Sequence, residues 1–267
     1  MKKLPRCLLT GATGGIGSAI AHEMASRGYS LILHGRNVSK LIELCQQLPC
    51  VKGSEPHQIV TGDILKAEDR AEMLNRAFAS SSVSILINNA GVSSFNNFSH
   101  VSAEEINQVL NTNLVATIQL TYDFLKIKKF NQATVVNIGS ALGAIGFPGY
   151  SLYCASKFGL RGFTESLTRE LVNNDVRVCY LAPRATDTKI NSENVLAMNK
   201  AMGSKVDPPE KVAKALISLL EGKNNRKSVG WPEKLFARIN GLFPELVDSS
   251  FKKSLATILK FTQGEQS

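Results

Sequence analysis

Tyr153 and Lys157 stand four residues apart in the run Tyr-Cys-Ala-Ser-Lys, and Ser140 precedes the tyrosine by thirteen residues. Side chains at positions i and i+4 share one face of a helix, so the lysine ammonium would lie beside the phenol. A nearby cation favours the phenolate, which lowers the tyrosine pKa from an ordinary value of about 10. Such a phenol can act as a general acid or base near neutral pH. The pair predicts proton transfer, although a tyrosine and a lysine one turn apart are also common on exposed helices.

A glycine-rich run at residues 10–17, Thr-Gly-Ala-Thr-Gly-Gly-Ile-Gly, favours the chemical interpretation. It follows a short apolar run and precedes a segment of helical period, so its backbone N–H groups would lie at the positive end of a helix. The missing side chains would let a pyrophosphate approach them closely. A tight turn without a ligand is the alternative, and the run fits two different glycine spacings.

Residues after the next three apolar runs could complete a dinucleotide site. Arg36 stands where an enzyme that prefers NAD usually carries an acid, and its guanidinium suits the 2′-phosphate of NADP unless it is simply solvated. Asp63 could accept a hydrogen bond from the adenine amino group or be an ordinary turn carboxylate. The turn at residues 88–91, Asn-Asn-Ala-Gly, could line the adenine ribose. The predicted cofactor contacts from these segments are Thr10, Gly11, Thr13, Gly15, Ile16, Gly17, Arg36, Asp63, Ile64, Asn89, Ala90 and Gly91.

Short apolar runs alternate with longer segments of helical period along the chain. This alternation predicts a single-domain α/β fold of the doubly wound Rossmann type, a mostly parallel sheet with helices on both faces. Such a sheet binds its ligand beyond the carboxyl ends of the strands, where the residues above fall. The predicted strands are residues 6–10, 30–34, 58–61, 84–88, 134–138 and 176–181, and the predicted helices are residues 16–27, 39–47, 66–78, 103–125, 153–173 and 209–221.

Composition argues against several other classes of protein. The chain has 267 residues, 43% of them hydrophobic, enough for one large buried core. Its five cysteines show no disulfide or metal-binding spacing, so we expect no metal site. No apolar run has the length of a signal peptide or a membrane span, which predicts a soluble or peripheral protein, and the unpaired cysteines favour the cytoplasm. Of the net charge of +9, residues 223–260 carry +5, with eight basic residues against three acidic ones, so a local feature carries over half of it.

Together these motifs resemble the compact, single-domain branch of the short-chain dehydrogenase/reductase family. The resemblance covers roughly residues 4–190. It favours the glycine spacing Thr-Gly-x-x-x-Gly-x-Gly over the alternative Thr-Gly-x-x-Gly-x-x-Gly, both of which the run at residues 10–17 fits. It implies an oxidoreductase that interconverts a carbonyl and an alcohol, with NADP as the favoured cofactor. Tyr153 would transfer the proton, Lys157 would lower its pKa and hold the nicotinamide ribose, and Ser140 would hydrogen-bond the substrate oxygen.

The same resemblance assigns three further residues. Asn113 would hold a water that links Lys157 to solvent, while Pro183 and Thr188 would serve the carboxamide and pyrophosphate side of the cofactor. Arg184 departs from the family pattern, which often has glycine after this proline, and we expect its cation to meet a phosphate or an acidic substrate. The C-terminus lacks the glycine-rich strand ending of many tetrameric members, including typical 3-oxoacyl carrier-protein reductases, which weakens that assignment.

The C-terminal residues 230–267 form a basic, amphipathic extension of a catalytic domain at residues 1–229. Four apolar residues between Leu235 and Leu242 share one helical stripe. We expect the extension to pack on the same domain or on a sister subunit, with a membrane-surface contact as the alternative. With residues 191–202 it would form an apolar lid, which suits a lipophilic or acyl-type substrate. The nearer wall of that site would consist of Phe147, Pro148 and Tyr150.

Three functions can be drawn from these features. The first is the NADP-dependent carbonyl/alcohol oxidoreductase, and the second is a non-catalytic nucleotide sensor or scaffold of the same fold. The intact set of Ser140, Tyr153 and Lys157 favours the enzyme. A nucleic-acid binder rests on charge alone, because no recognition motif is present, and we expect no nucleic-acid partner. By resemblance, a homodimer or homotetramer would form through the helices that begin at Ala103 and Tyr153.

Overall fold

A parallel sheet organises the protein, whose computed structural model describes residues 4–79, 83–231 and 233–262. Within these residues the strand order is 3-2-1-4-5-6-7 in chain numbering, and every neighbouring pair is parallel. The order reverses between the first and fourth strands, the point at which doubly wound sheets bind ligands. The predicted fold class is therefore confirmed. The strands are β1 (Arg6–Leu9), β2 (Leu31–Gly35), β3 (Gln58–Thr61), β4 (Val83–Asn88), β5 (Ala133–Ile138), β6 (Val176–Ala182) and β7 (Arg226–Ser228).

Helices cover both faces of this sheet. All six predicted helical segments are present, with ends shifted by a few residues, and the predicted lid contains a helix of its own. The first three residues of the chain, residues 80–82, Pro232 and the last five residues of the predicted extension lie outside the described residues. The helices are α1 (Gly15–Ser26), α2 (Val38–Gln47), α3 (Ala67–Ala79), α4 (Ala103–Leu110), α5 (Ala116–Ile127), α6 (Ser151–Glu170), α7 (Glu193–Ala201), α8 (Pro209–Glu221), α9 (Glu233–Leu242) and α10 (Pro244–Thr262).

The apolar core is divided by the sheet into two clusters. Along β1, Cys7 and Leu9 face a cluster that includes Met24 of α1, whereas Leu8 faces the opposite cluster, which includes Phe124 of α5. Side chains alternate between faces along a strand, and here both faces are covered. This explains why Cys7, Leu8 and Leu9 are apolar at consecutive positions instead of every second one.

The predicted helix at residues 103–125 is not a regular α-helix. A π-helical turn, Asn111–Val115, separates α4 from α5 and includes the buried Asn113. Single π turns concentrate at functional sites because the extra residue changes the direction of the side chains within it. Here the change turns Asn113 toward the sheet, which hydrophobic periodicity alone does not reveal.

The chain beyond residue 222 contributes one strand and two helices. The polar edge strand β7 pairs with β6 from Tyr180 to Ala182 and is absent from the sequence prediction, because three polar residues lack a strand pattern. From α10, Phe251 and Ile258 pack against Tyr150 and Cys154 of the α6 N-terminal region. The described part of the extension thus packs on the rest of the chain through α10, while the predicted domain boundary at residue 230 stays a prediction. None of the helices in the described ranges combines the length and hydropathy of a bilayer span.

Candidate active site

The glycine-rich loop after β1 is fastened to the turn after β4. The Thr10 hydroxyl accepts hydrogen bonds from the backbone N–H groups of Asn89 and Ala90, at 3.0 and 3.1 Å. In return the Asn89 side-chain amide donates to the carbonyls of Thr10 and Gly11, at 3.1 and 3.0 Å. Gly11 has a φ of 61°, and a Cβ there would lie 2.8 Å from the Ala90 Cα. The two sequence motifs therefore fix each other's backbone, and only glycine fits at position 11.

The N-terminus of α1 presents backbone donors to the crevice. Its N-cap residue, Gly14, makes no side-chain capping bond, so the first N–H groups of the helix have no side-chain acceptor there. A Cβ at Gly17 would overlap the Gly11 carbonyl, and a Cβ at Gly15 would lie 2.6 Å from Thr188 Cγ2. At its glycines, a loop this close to its neighbours brings backbone atoms instead of side chains to the surface of the crevice. This is the geometry that receives a phosphate.

Residues predicted to contact the adenosine half surround the outer end of this loop. The Thr13 hydroxyl lies 3.7 Å from the position of a Cβ at Gly35, the last residue of β2. Arg36 follows directly and is exposed, and within the described part of the chain its guanidinium forms no hydrogen bond or ion pair. The adjacent Asn37 caps α2 through a 3.0 Å bond from the Lys40 N–H. The arginine cation is therefore available to an anion in solution.

Asp63 occupies the turn after β3. Its Oδ1 accepts a 3.0 Å bond from the Leu65 N–H, and its own N–H donates to the Asp69 carboxylate at 2.7 Å. The neighbouring Ile64 is buried, and its carbonyl accepts a 2.8 Å bond from Arg70. The turn role that the sequence leaves open for Asp63 is thus present, and an adenine contact stays a prediction.

Tyr153, Ser140 and Lys157 meet at the carboxyl end of β5. Ser140 follows this strand, and the other two residues lie in the first two turns of α6. The Tyr153 phenol is hydrogen-bonded to the Ser140 side chain, and Lys157 Nζ lies 5.7 Å from the centre of the Tyr153 ring. The same Nζ donates to the Ile138 carbonyl at 3.0 Å, which fixes the direction of the lysine. The structure therefore brings together the three side chains whose spacing in the sequence suggested a common site.

Asn113 lies near Lys157 and is held by three hydrogen bonds. Its Oδ1 accepts from the Val92 N–H at 2.8 Å, and its Nδ2 donates to the Val92 carbonyl at 2.9 Å and to the Ser156 hydroxyl at 3.1 Å. A Cβ at Gly91 would lie 3.0 Å from Asn113 Oδ1 and 3.8 Å from Lys157 Nζ. The absent side chain of Gly91 leaves a polar gap between these two atoms. A gap with several polar neighbours suits a bridging water.

The pKa values of the tyrosine and the lysine are both set mainly by burial. Burial raises the pKa of Tyr153 to about 12, and the hydrogen bond from Ser140 opposes this rise. Burial lowers the pKa of Lys157 to about 8. These directions differ from the expectation that the lysine brings the tyrosine pKa down, because the low-dielectric surroundings disfavour both charged forms. At neutral pH Tyr153 holds its proton and most of the Lys157 population is charged.

Tyr180 of β6 supports the serine and is missing from the predicted site. Its hydroxyl accepts from the Ser140 N–H and donates to the Ser140 carbonyl, both at 3.4 Å. Cβ atoms at Gly139 or Gly143 would overlap the Tyr180 side chain. Two glycines near a candidate serine in the sequence indicate that another part of the chain packs closely there. The sequence around Ser140 does not show that this part is Tyr180, 40 residues later.

Arg184 does not have the role that its sequence position suggests. Its guanidinium is paired with the Asp207 carboxylate at 2.5 Å, and both side chains are only 6% exposed. The same guanidinium donates to the Trp231 carbonyl at 3.0 Å. The expectation that it meets a phosphate or an acidic substrate is therefore wrong, because a buried carboxylate 23 residues away already neutralises it. Pro183 and Thr188, on either side of it, do line the active-site crevice.

A cavity of about 560 Å³ opens above Ser140 and Tyr153. Its walls are mostly apolar, and they come from the lid helix α7, from α9 and α10, and from the segment before α6. Phe147 packs edge-on against Phe251 of α10, with ring centres 5.2 Å apart. The predicted lid and nearer wall thus enclose one space, although Pro148 is not among its lining residues. The apolar lining residues include Ile16, Leu142, Ile145, Phe147, Tyr150, Val195, Met198, Met202, Phe236, Val247 and Phe251.

Comparison with known proteins agrees with this geometry. The family model described as short chain dehydrogenase matches residues 6–199. Nodulation protein G of Rhizobium meliloti (strain 1021) is 36% identical over 181 residues, 67% of this chain and 71% of that protein. The 3-oxoacyl-[acyl-carrier-protein] reductase of Bos taurus is 33% identical over 220 residues, 80% of this chain and 90% of that protein.

Among solved structures, a short-chain dehydrogenase from Sphingobium yanoikuyae in complex with NADPH aligns with a TM-score of 0.76 and 25% identity. The alignment covers 92% of this chain and 96% of that one. Fold, family match and relatives lead to the same conclusion. The chain belongs to the short-chain dehydrogenase/reductase family and is an NAD(P)-dependent oxidoreductase.

Proposed function

We propose that this enzyme interconverts a carbonyl and an alcohol on a lipophilic or acyl-type substrate, with NADPH as its preferred cofactor and Tyr153 as its proton donor. The observation that carries the proposal is the position of the hydrogen-bonded Tyr153 and Ser140 side chains. They lie at the floor of an apolar cavity, which is also lined by Ile16 of the glycine loop and by Pro183 and Thr188.

The residues around α1 fit a dinucleotide. The open helix N-terminus and the close packing of Gly11 and Gly17 would hold a pyrophosphate through backbone N–H groups. Thr13 and Thr188 would add hydroxyl donors on either side. A bound nicotinamide supplies or accepts a hydride. The chain would orient it beside the cavity, where Pro183 would contact its carboxamide and Lys157 its ribose.

The proton side of the reaction follows from the side chains at the floor. In the reducing direction Tyr153 gives its proton to the substrate oxygen while the Ser140 hydroxyl donates a hydrogen bond to the same oxygen. The phenolate that remains would be costly in this buried site without a neighbouring cation. Lys157 is 5.7 Å from the ring centre and would offset that cost, and Asn113 with a bridging water would return the proton to Tyr153.

Two further observations support the choice of cofactor and substrate. Arg36 is exposed directly after β2, where it would meet the 2′-phosphate that distinguishes NADPH from NADH. The Sphingobium yanoikuyae relative binds NADPH. The cavity walls are mostly aromatic and aliphatic; of their two cations, Arg184 is neutralised by Asp207 and Lys205 is exposed to solvent. A bulky apolar carbonyl compound suits such walls better than a charged one.

The decisive experiment replaces Tyr153 with phenylalanine. Wild-type protein should consume NADPH with some member of a panel of ketones and aldehydes. Tyr153→Phe should lower turnover about 100- to 10,000-fold, the usual contribution of general acid catalysis. Its NADPH Kd, measured by cofactor fluorescence, should change less than about threefold, because the ring stays in place. Tyr122→Phe, a change at an exposed tyrosine of α5, is the matched control. Equal turnover by the Tyr153 and Tyr122 variants would reject the assigned role.

The pH profile gives a second test. The folded-state pKa of Lys157 is lowered to about 8 by burial, so the free enzyme loses this cation as pH rises through that value. kcat/KM for carbonyl reduction should then fall by up to about tenfold per pH unit above the lysine pKa. Between this pKa and the ordinary lysine value the unfolded chain binds more protons, so the lysine's contribution to stability rises with pH there. A flat kcat/KM profile from pH 7 to pH 9.5 would contradict the assisting role of Lys157.

The remaining expectations stay proposals. Val115, Ile127 and Phe158 leave exposed apolar surface on the helices that would join a homodimer or homotetramer, at 40%, 44% and 42% exposure. Light scattering would measure the oligomer. Leu242, Phe243 and Leu246, around the turn between α9 and α10, are among the exposed apolar residues of the extension that a membrane surface could contact. Membrane contact and cytoplasmic location stay predictions.

A further inference from the structure

The cavity is covered by a lid, residues 188–206, whose two ends meet at one point. Thr186 and Asp207 form an isolated parallel bridge. The Asp187 N–H donates to the Asp207 carbonyl, and the Asp207 N–H donates to the Ala185 carbonyl, both at 2.9 Å. The lid, which contains α7, therefore begins and ends at one closed base between β6 and α8.

A buried arginine lies at this base. Arg184 pairs with Asp207 at 2.5 Å with both side chains 6% exposed, and it also donates to the Trp231 carbonyl, where the C-terminal extension begins. A Cβ at Gly230 would lie 2.5 Å from Arg184 Cδ, so this glycine makes room for the arginine. Lys211 adds a second, half-exposed cation on the same Asp207 oxygen at 2.9 Å. Three segments of chain are thus joined by one guanidinium.

Residues of the lid contact both the substrate cavity and the glycine-rich loop. Val195 and Met198 of α7 point into the cavity, where they pack with Tyr150 above the floor. At its first residue, Thr188 lies against Gly15 of the phosphate-binding loop. The position of the lid base therefore decides how the lid covers the substrate space.

We propose that Arg184 is a positioning residue that holds the lid over the cavity through its buried pair with Asp207, so that affinity for the carbonyl substrate depends on this pair. The inference rests on the proposed function. A lid held at its base is already ordered, so substrate does not have to order it on binding. Without the arginine, Asp207 keeps only the half-exposed Lys211 and the base can open. Because the reacting groups on β5 and α6 are untouched, the loss should fall on KM and spare kcat.

The test compares three variants with the wild-type protein. Arg184→Met removes the pair, and Arg184→Lys keeps the charge but loses the forked geometry. Arg177→Met is the matched control, because Arg177 lies on β6, the strand that precedes Arg184, but binds the carbonyls of Leu219 and Asn224, at 2.8 Å, away from the lid. One readout is the KM and kcat for 4-nitrobenzaldehyde with NADPH. The other is the rate at which trypsin cuts the exposed lid lysines Lys189, Lys200 and Lys205.

Arg184→Met should raise KM about tenfold with kcat within about twofold, and should speed lid cleavage by a similar factor, since each side chain that binding must order costs about a factor of ten. Arg184→Lys should fall between Arg184→Met and wild type. Arg177→Met should lower thermal stability and leave KM and lid cleavage unchanged. A merely structural role for Arg184 would instead give both methionine variants the same profile, which would overturn the proposal.

The experiment still gives an answer if the wild-type protein is inactive or if Arg184→Met does not fold. If the wild-type protein consumes no NADPH with this aldehyde or with any panel carbonyl, the proposed function fails, and the trypsin rates still decide whether Arg184 holds the lid. If Arg184→Met does not fold, Asp207→Asn takes its place, since it keeps the shape of the side chain and weakens the same pair. Unchanged cleavage of the lid in a folded variant that lacks the ion pair would overturn the inference.

Discussion

The site has a cofactor half, around the glycine-rich loop and the N-terminus of α1, and a substrate half, the cavity above Ser140 and Tyr153. The two halves are built in different ways. Around α1 the backbone itself forms the surface, and Thr10 and Asn89 fix it by hydrogen bonds to main-chain atoms. Above Tyr153 the surface consists of side chains, and they come from segments that are far apart in sequence, such as Phe147 and Phe251. A backbone surface tolerates almost no added atom, whereas a surface of side chains can repack. Substitutions in the two halves should therefore differ both in size of effect and in what they change.

The largest effect should come from an added methyl group in the cofactor half. In Gly17→Ala the new Cβ would overlap the Gly11 carbonyl and would lie 2.8 Å from the Asn89 side-chain nitrogen and 3.0 Å from Ala12 Cα. The loop has to move, and its N–H groups move with it. We expect NADPH affinity to fall more than about 100-fold, the cost of misplacing several charge-assisted hydrogen bonds, as measured by fluorescence titration.

The control for this change lies on α6. Gly162 is exposed within the helix, and a Cβ there meets nothing within 4 Å. Gly162→Ala should leave NADPH affinity unchanged and stabilise the fold by up to about 1 kcal/mol, because alanine has the higher helix propensity. If Gly17→Ala bound NADPH as well as this control, the backbone of the loop would not be the phosphate-binding surface.

A smaller effect, also confined to the cofactor half, is expected at Arg36. Arg36→Gln removes the exposed cation at the end of β2, and loss of one charge-assisted contact should raise the NADPH Kd about 10- to 100-fold. The NADH Kd should stay within about twofold, because NADH has no 2′-phosphate. Lys52→Gln, at another exposed cation, corrects for the general loss of charge. An equal weakening for both dinucleotides would remove the basis for NADP preference.

The difference between the halves also explains what the sequence could predict. The residues of the cofactor half form short local sequence patterns, namely Thr10 with the glycines after β1, and Asn89 directly after β4. Tyr153 and Lys157, one helical turn apart, are a local pattern of the same kind. In a parallel sheet the strand ends gather at one edge, so local patterns at those ends become spatial neighbours without further information. The fold class and the meeting of Tyr153, Ser140 and Lys157 could be predicted for this reason.

The features that the sequence did not predict depend on distant partners. Arg184 looks like a free cation until Asp207 is placed beside it, and Tyr180 looks like an ordinary strand residue until it reaches Ser140. The π turn at Asn113 depends on a bond to Val92, 21 residues earlier. Burial likewise decides the direction of the Tyr153 pKa, and helical spacing contains no information about burial.

The smallest effect should come from the substrate half. Phe251→Ala removes a ring that lines the cavity and packs against Phe147, which enlarges the space above the floor. The relative kcat/KM for a bulky over a small ketone should rise about three- to tenfold, since a hydrophobic wall discriminates weakly by size. NADPH affinity should not change, because Phe251 packs against Phe147 in the cavity wall, whereas the proposed phosphate contacts are backbone N–H groups of the glycine loop. Phe98→Ala, at a phenylalanine that is 64% exposed, should change neither quantity. A loss of NADPH affinity in Phe251→Ala would mean that the two halves are coupled more tightly than their construction indicates.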